Sequence, residues 1–113
     1  WIDVHENYKT INVASAEEDP NSILHYYRNV IAFRKDNPTL IYGDFKDIYP
    51  NHPKFFGYIR SDSNAAFLII HNFSDHKLNW YNPEKTCVLE YGNYINPNEN
   101  ELAPWESRVY RIR

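Results

Sequence analysis

The side chains of this sequence that are most able to do chemistry are its five histidines and its single cysteine. The histidines are His5, His25, His52, His71 and His76. No two of them have a metal-ligand spacing such as HExxH or HxH, and one cysteine cannot complete a zinc site. The nearest pair, His71 and His76, lies across a predicted strand end, which favours structural or surface roles. We therefore predict no metal site.

Acid–base and nucleophilic patterns are equally sparse. The sequence has no GxSxG, no CxxC and no glycine-rich phosphate loop, and it contains only three glycines. Glu17, Glu18 and Asp19 could be read as paired carboxylates for acid–base catalysis. Helix capping explains them better, with Asp19 as the N-cap, Pro20 at the first helical position and all three near the positive end of the helix dipole. We predict no catalytic residue, no substrate-binding residue and no cofactor.

Aromatic side chains provide a second candidate, a platform for sugar rings. The residues concerned are Trp1, Trp80, Tyr81, Tyr91, Tyr94 and Trp105. In a β-sandwich such residues are more often core or cross-strand pairs. The tripeptide Asn72-Phe73-Ser74 matches a glycosylation sequon, but we discount it because it lies at a strand end in a chain expected to be cytoplasmic.

Composition limits the class of protein. The 113 residues suit one domain, or one domain with an appendage, and they are 42% hydrophobic and 17% aromatic. The net charge is −3 and no basic patch is present, so nucleic acid and anionic membranes are poor partners. There is no transmembrane run, no visible signal peptide, and a lone Cys87 that fits a reducing compartment. We expect a cytoplasmic protein and, since the sequence begins with Trp1, a piece of a longer one.

The stretch Ala65–Phe73 is the most apolar part of the chain and predicts a strand covered on both faces. Other short strands are predicted around it, with Gly57 at a possible bulge. These segments are Asp44–Tyr49, Lys54–Ser61, Leu78–Tyr81, Thr86–Tyr91, a brief Tyr94-Ile95 and Trp105–Arg113. In the last of them, Glu106, Arg108, Tyr110 and Ile112 share one face. The pattern predicts a mostly β fold, an antiparallel β-sandwich preceded by one α-helix and an N-terminal extended segment.

The one predicted helix covers about residues 20–36 and ends before Pro38. Its apolar residues fill about half of its circumference, whereas packing on a single surface needs only a stripe of roughly 100°. This arc indicates contact with two bodies. Arg34 lies inside the arc, where it either finds a carboxylate or carbonyl partner or extends to water.

Several stretches, in this order, resemble the C-terminal end of the α-amylase family of glycoside hydrolases. They are Trp1-Ile2-Asp3-Val4-His5-Glu6-Asn7-Tyr8, Ile11-Asn12-Val13, Asp19-Pro20-Asn21-Ser22-Ile23, Phe33-Arg34-Lys35, Tyr42-Gly43-Asp44-Phe45, Phe56-Gly57-Tyr58-Ile59-Arg60, Asn72-Phe73-Ser74 and Pro104-Trp105-Glu106-Ser107-Arg108-Val109-Tyr110. The most similar branch is the oligo-1,6-glucosidase, α-glucosidase and trehalose-6-phosphate hydrolase group.

This resemblance implies that residues 1–38 are the end of a catalytic (β/α)8 barrel and residues 39–113 a C-terminal β-sandwich. The helix would then face barrel strands on one side and the sandwich on the other. The family's Asp nucleophile, Glu acid/base and third Asp would lie upstream of Trp1. The resemblance thus implies a structural, non-catalytic domain of an α-glucosidase-type enzyme, whose partner is the barrel of the same polypeptide.

Two other functions stay open at this point: an oligosaccharide-binding module and a protein-interaction domain. We also expect this chain to self-associate through its helix and Trp1–Val4, or to fold its N-terminal segment over the helix, because an exposed apolar patch favours association.

Overall fold

A computed structural model describes residues 2–84 and 86–113 of the chain. They form two compact units, of which the first ends at Asn37 and the second is Pro38–Arg113. Whether the first unit is the end of a barrel stays a prediction. In the described part of the chain, no helix has the length and apolar character needed to cross a membrane.

The N-terminal segment contains two short helices that the prediction of an extended segment missed, while residues 2–5 and 10–12 are not helical. A 3-10 helix covers Glu6–Lys9, and helix α1 covers Val13–Glu18. Asn12 begins α1 with a capping box: its side-chain oxygen accepts from the Ser15 backbone N–H at 2.9 Å, and the Ser15 hydroxyl accepts from the Asn12 N–H at 3.3 Å. Asn12 therefore starts a helix that was not predicted from the sequence.

Helix α2, the predicted helix, covers Ile23–Asp36. Its N-cap is Ser22, whose hydroxyl accepts from the His25 N–H at 3.3 Å, so the assignment of Asp19 and Pro20 to its first turn was wrong. Asp19 instead ends α1, and its carboxylate accepts from the Asn21 N–H at 2.9 Å within the connecting turn. The end of α2 before Pro38 is confirmed.

No residue of α2 is buried. Ile23, Tyr27 and Ile31, one turn apart, are 77%, 64% and 49% exposed. They form a continuous apolar stripe on the helix surface. Arg34 is also exposed, which favours the interpretation that it extends to water.

The second unit is built on a five-stranded antiparallel sheet in the order β1-β2-β3-β7-β5. A short helix, α3 (Thr39–Tyr42), precedes it. A second, two-stranded sheet pairs β4 with β6. The strands of the two sheets are β1 Asp44–Asp47, β2 Phe55–Ser61, β3 Ala66–Asn72, β4 Leu78–Asn79, β5 Cys87–Gly92, β6 Glu101–Leu102 and β7 Ser107–Ile112. The mostly β, sandwich-like fold is confirmed.

Strand β3 is the centre of the sheet, as its apolar run predicts. Its Phe67, Leu68, Ile69 and Ile70 are all buried, with 0–4% of each residue exposed, so both of its faces are covered. Leu68 and Ile70 join Trp80 and Leu102 in the core, which lies between the five-stranded sheet and the two-stranded sheet β4-β6.

Two local predictions about the strands were wrong. Gly57 lies in an unbroken register with Ile70, and the irregularity of the sheet lies in β5, between Leu89 and Tyr91. Tyr94-Ile95 forms no strand: Ile95 is 95% exposed and the Tyr94 hydroxyl donates to the Pro104 carbonyl at 2.8 Å. The extra strand is β6, which pairs with β4.

Candidate functional site

Four buried polar residues lie at one end of the sandwich, and we call them the polar clasp: Asn72, Ser74, Glu106 and Arg108. They come from the end of β3, the turn after it, the residue just before β7 and the start of β7. In the sequence they belong to Asn72-Phe73-Ser74 and Trp105-Glu106-Ser107-Arg108, two of the stretches on which the family resemblance rests.

Asn72 is the centre of the clasp. Its side-chain nitrogen donates to the carbonyls of His76 and Ala103, both at 2.8 Å. Its side-chain oxygen accepts from the hydroxyl of Ser74 at 2.7 Å and from the Ser74 backbone N–H at 3.0 Å. Both the nitrogen and the oxygen of the Asn72 amide therefore have hydrogen-bond partners inside the protein. This is a physical reason to discount Asn72 as a glycosylation acceptor.

Glu106 and Arg108 form a buried ion pair with the Arg108 Nε 2.7 Å from the Glu106 Oε1. Arg108 also donates to the Glu101 carbonyl at 2.7 Å and to the Tyr110 hydroxyl at 3.2 Å. Burial lowers the pKa of Arg108, but the hydrogen bonds to Glu106 and Tyr110 outweigh it and raise that pKa. Each charged group thus has partners, and the clasp holds segments together rather than presenting a free reactive group.

A pattern in the sequence is typical of this buried ion pair, although the motifs considered above assign the pair no function. Alternation along the last strand places Glu106 and Arg108 on the same face as Tyr110 and Ile112. Opposite charges two residues apart on a face that is otherwise apolar or aromatic are typical of a buried, paired glutamate and arginine.

The face of the sheet opposite the core carries an aromatic strip, defined as Phe45, Phe56, Tyr58, His71 and Phe73. Neighbouring ring centroids in the strip are 5.1–6.2 Å apart. Phe45, Phe56 and Phe73 are 53%, 39% and 60% exposed. The strip is thus an aromatic surface whose rings pack against one another while three of them remain exposed to solvent.

His71 is the titratable member of the aromatic strip. Its Nδ1 lies 2.7 Å from the Ser107 hydroxyl oxygen. Burial lowers its pKa and favours the neutral ring. The contact with Ser107 and the stacked rings give it a packing role.

A cleft of about 390 Å³ opens on the second unit, and we call it the β5 cleft. We call its two strand residues, Cys87 of β5 and Tyr110 of β7, the floor, and its other lining residues come from the segments before β5 and before β6. The lining side chains include Tyr81, Glu84, Cys87, Glu99, Asn100 and Tyr110.

Two groups on the floor of the β5 cleft have shifted pKa values. Burial is the main cause that raises the pKa of the Cys87 thiol, with the Asn82 amide donating to its sulfur at 2.6 Å. Burial likewise raises the pKa of Tyr110. Both groups therefore stay protonated at neutral pH, so this cysteine is a poor nucleophile.

The other residues singled out from the sequence do not converge on one site. Four histidines make local contacts: His5 and His52 accept backbone N–H groups, His25 contacts the Glu17 carbonyl, and His76 pairs with Asp75. No group of three or more His, Cys, Asp or Glu able to hold a metal ion occurs among the described residues.

In the acidic run Glu17-Glu18-Asp19, the side chain of Glu17 is bonded to an arginine. Glu17 accepts two hydrogen bonds from Arg28, at 2.8 and 2.5 Å. The side-chain hydrogen bonds with Arg28 lower the pKa of this exposed carboxyl. Glu17 and Glu18 lie in the last turn of α1, so the prediction that they neutralise the N-terminal dipole of α2 was wrong.

The aromatic residues proposed as a sugar platform are dispersed. Trp80 is buried in the core, with its ring 5.7 Å from that of Tyr110. Tyr81 is 72% exposed, beside the β5 cleft, and Trp105 is 58% exposed at a positive φ of 56°. Trp1 lies outside the described residues. Of this set, Tyr81 is the residue that combines an open ring with a cavity.

Known proteins resemble this chain along its whole length. A family model described as the alpha amylase catalytic domain matches residues 1–43. The chain is 39% identical over its whole length to an oligo-1,6-glucosidase of Parageobacillus thermoglucosidasius, of which it covers 22%. Over 99% of its length it is 31% identical to a trehalose-6-phosphate hydrolase of Bacillus subtilis, again covering 22%.

Solved structures agree with these matches. The isomaltulose synthase from Klebsiella superposes on 100% of this chain with a TM-score of 0.86 and 27% identity, and the chain covers 22% of it. The trehalose-6-phosphate hydrolase of Bacillus licheniformis superposes on 98% with a TM-score of 0.86 and 26% identity, also with 22% covered. The chain thus spans about a fifth of the length of the relatives that it matches.

Proposed function

Because the chain belongs to the α-amylase family, we propose that it forms a non-catalytic, C-terminal part of an α-glucosidase-type glycoside hydrolase. The observation that supports this most directly is the coverage. Nearly the whole chain aligns with about a fifth of each relative, and the catalytic-domain model reaches only as far as residue 43. The remaining residues form a sandwich whose buried charges are already paired with one another.

The proposed role of the sandwich is to support the catalytic barrel of the same polypeptide. The aromatic strip supplies a suitable surface, since Phe45, Phe56 and Phe73 leave large apolar areas open to water. Exposed aromatic clusters of this kind mark sites where another body packs. Burying the strip would stabilise the enzyme by roughly 25 cal/mol per Å² of apolar area removed from water.

The first unit supplies a further apolar surface. Besides the stripe on α2, Ile2, Val4 and Ile11 are 77%, 71% and 70% exposed. We propose that these residues contact barrel segments in the whole enzyme, and that this chain alone self-associates through them. Analytical ultracentrifugation of the chain, compared with an Ile23→Ser and Tyr27→Ser double variant, tests this. A wild-type chain that stays monomeric at all concentrations contradicts it.

The experiment that tests the proposed function is a hydrolysis assay with p-nitrophenyl α-glucoside. It is run on this chain and on the longer protein recovered from the parent gene. Activity in the longer protein alone supports a non-catalytic region of a glucosidase. Activity in this chain alone, or in neither protein, overturns the proposal.

The supporting role has its own test in the longer protein. Phe56→Ser and Phe73→Ser together should lower its melting temperature by several degrees while its KM stays within about twofold, since the strip holds no substrate group. Tyr42→Ser is the matched control, because Tyr42 is 83% exposed and lies outside the strip. A melting temperature unchanged by the double variant contradicts a packing role for the strip.

We further propose a cytoplasmic location, which the free thiol of Cys87 fits.

A further inference from the structure

We infer that the β5 cleft binds one glucosyl unit of an α-glucosidic oligosaccharide. This inference rests on the proposed function, because it takes the ligand class from the enzyme's proposed substrate. The volume of the cleft, about 390 Å³, falls in the range of roughly 300–1,000 Å³ typical of small-molecule sites.

The polar lining of the cleft suits a ligand that donates hydrogen bonds. Glu84 and Glu99 both line it, and within the described residues neither carboxylate has an ion-pair or hydrogen-bond partner. An ionised carboxylate only accepts hydrogen bonds, so these two groups match the hydroxyls of a sugar ring. The side-chain amide of Asn100 adds both donors and an acceptor.

The neighbouring amide helps to shape the cleft rather than to bind. The side-chain oxygen of Asn82 accepts from the Glu84 N–H at 2.9 Å, and its nitrogen donates to the Cys87 sulfur at 2.6 Å. Asn82 therefore ties the segment carrying Glu84 to strand β5. The wall of the cleft is held in place before any ligand arrives, which lowers the entropic cost of binding.

Aromatic rings supply the apolar contact that a sugar also needs. Tyr110 lies on the floor, stacked on the buried Trp80 at 5.7 Å and bonded through its hydroxyl to Arg108. Tyr81 also lines the cleft and is 72% exposed. Carbohydrate rings have C–H faces that pack on such side chains, while the carboxylates hold their edges.

A cation is the alternative ligand, since two carboxylates attract positive charge. The cleft has no metal-binding group: Glu84, Cys87 and Glu99 line it, but no set of three or more His, Cys, Asp or Glu able to hold a metal occurs in residues 2–84 and 86–113. The tyrosines and the amide that line it fit a neutral polyol better than a bare ion.

Cys87 provides an internal probe of the cleft, because it is the only cysteine of the chain and lies on the cleft floor. The experiment follows the rate at which a thiol reagent labels Cys87 in the whole 113-residue chain while isomaltose is added. We expect saturable protection with a Kd of about 1 mM, and heat of binding with the same midpoint in isothermal titration. Tyr81→Ala and Glu99→Gln should each weaken protection at least fivefold.

The matched control is Tyr42→Ala, which removes another highly exposed tyrosine elsewhere in the same unit and should leave the protection unchanged. Circular dichroism confirms that each variant is folded. Protection of Cys87 by Ca²⁺ but not by isomaltose overturns the inference in favour of a cation site. Neither heat nor protection with isomaltose, maltose and glucose overturns it outright.

Failure of this inference is distinguishable from failure of the proposed function. A longer protein that hydrolyses α-glucosides while the cleft binds no sugar defeats the inference alone. A cleft that binds isomaltose in a polypeptide without hydrolytic activity defeats the enzyme assignment and leaves a sugar-binding module.

Discussion

Replacing Arg108 with methionine removes the cation of the polar clasp and keeps a long, flexible side chain. The Arg108 and Glu106 side chains are only 1% and 2% exposed. The substitution leaves the Glu106 carboxylate buried with the Ala103 N–H, at 2.6 Å, as its remaining described partner. It also removes the donors that satisfy the Glu101 carbonyl and the Tyr110 hydroxyl.

Breaking a buried ion pair from one side costs about 3–5 kcal/mol. That is a large part of the roughly 5–15 kcal/mol by which a domain is stable. For a urea slope of about 2 kcal/mol per M, the unfolding midpoint of Arg108→Met should fall by about 2 M. The measurement is equilibrium urea unfolding followed by tryptophan fluorescence and circular dichroism.

Two further variants separate the cause. Glu106→Gln combined with Arg108→Met removes both charges and should recover part of the lost stability, because no unpaired ion is then buried. Lys77→Met breaks an exposed pair with Glu101 in the same unit, where the lysine side chain is 68% exposed, and should leave the urea midpoint nearly unchanged. If Arg108→Met is within about 1 kcal/mol of the wild type, the clasp does not hold the sandwich together.

Three more outcomes follow from single contacts. Gly57→Ala should cost about 1–3 kcal/mol in urea unfolding, because a Cβ at that position would lie 2.6 Å from the Tyr49 ring and 2.9 Å from the Ile70 Cδ1. Burial lowers the pKa of His71, so the unfolded state binds a proton at this residue more readily than the folded state does. The free energy of unfolding should therefore fall as the pH drops below the ordinary histidine pKa. His71→Asn should flatten this pH dependence. Ser22→Ala should cost about 0.5–2 kcal/mol through the lost N-cap of α2, seen as a lower thermal midpoint of the helical circular-dichroism signal.

Each of these outcomes has a matched control in the same chain. Gly92→Ala introduces a Cβ 3.1 Å from a carbonyl oxygen and should cost less than Gly57→Ala. His76→Asn changes an exposed histidine and should leave the acid sensitivity intact. Ser63→Ala alters an exposed turn serine and should leave the thermal midpoint unchanged. A control that behaves like its test variant contradicts the contact assigned to that variant.

The elements that could be predicted are those whose signal is local and strong. The apolar run around Phe67–Ile70 and the Pro38 stop of α2 each determine structure through nearby residues alone. The start of α2 was misplaced because two residues can cap the helix. Asp19 has a side chain suited to capping, but in the structure Ser22 caps α2 and its hydroxyl also donates to the Ala16 carbonyl at 2.7 Å. Local propensity does not decide between such alternatives.

The β5 cleft could not be predicted from the sequence for a different reason. Its lining residues are separated by up to 29 positions, from Tyr81 to Tyr110, and they meet only when β7 pairs with β5. Half of the polar clasp has a simpler sequence signal, which our prediction did not use: Glu106 and Arg108 share a face in any strand that alternates. Long-range pairing therefore hides the β5 cleft from sequence-based prediction, whereas the start of α2 was missed because of a local competition.

The order of strands in the sheet has a consequence for how the protein is made. Strand β7, the last of the described strands along the sequence, lies between β3 and β5. A ribosome-bound chain that has released β1, β2 and β3 still lacks the strand that joins β5 to them. The sandwich can therefore close only after Ser107–Ile112 has been synthesised and released, because that strand supplies the non-local pairing. A nascent chain stalled before β7 would expose the edge of β3 to chaperones or to another copy of itself.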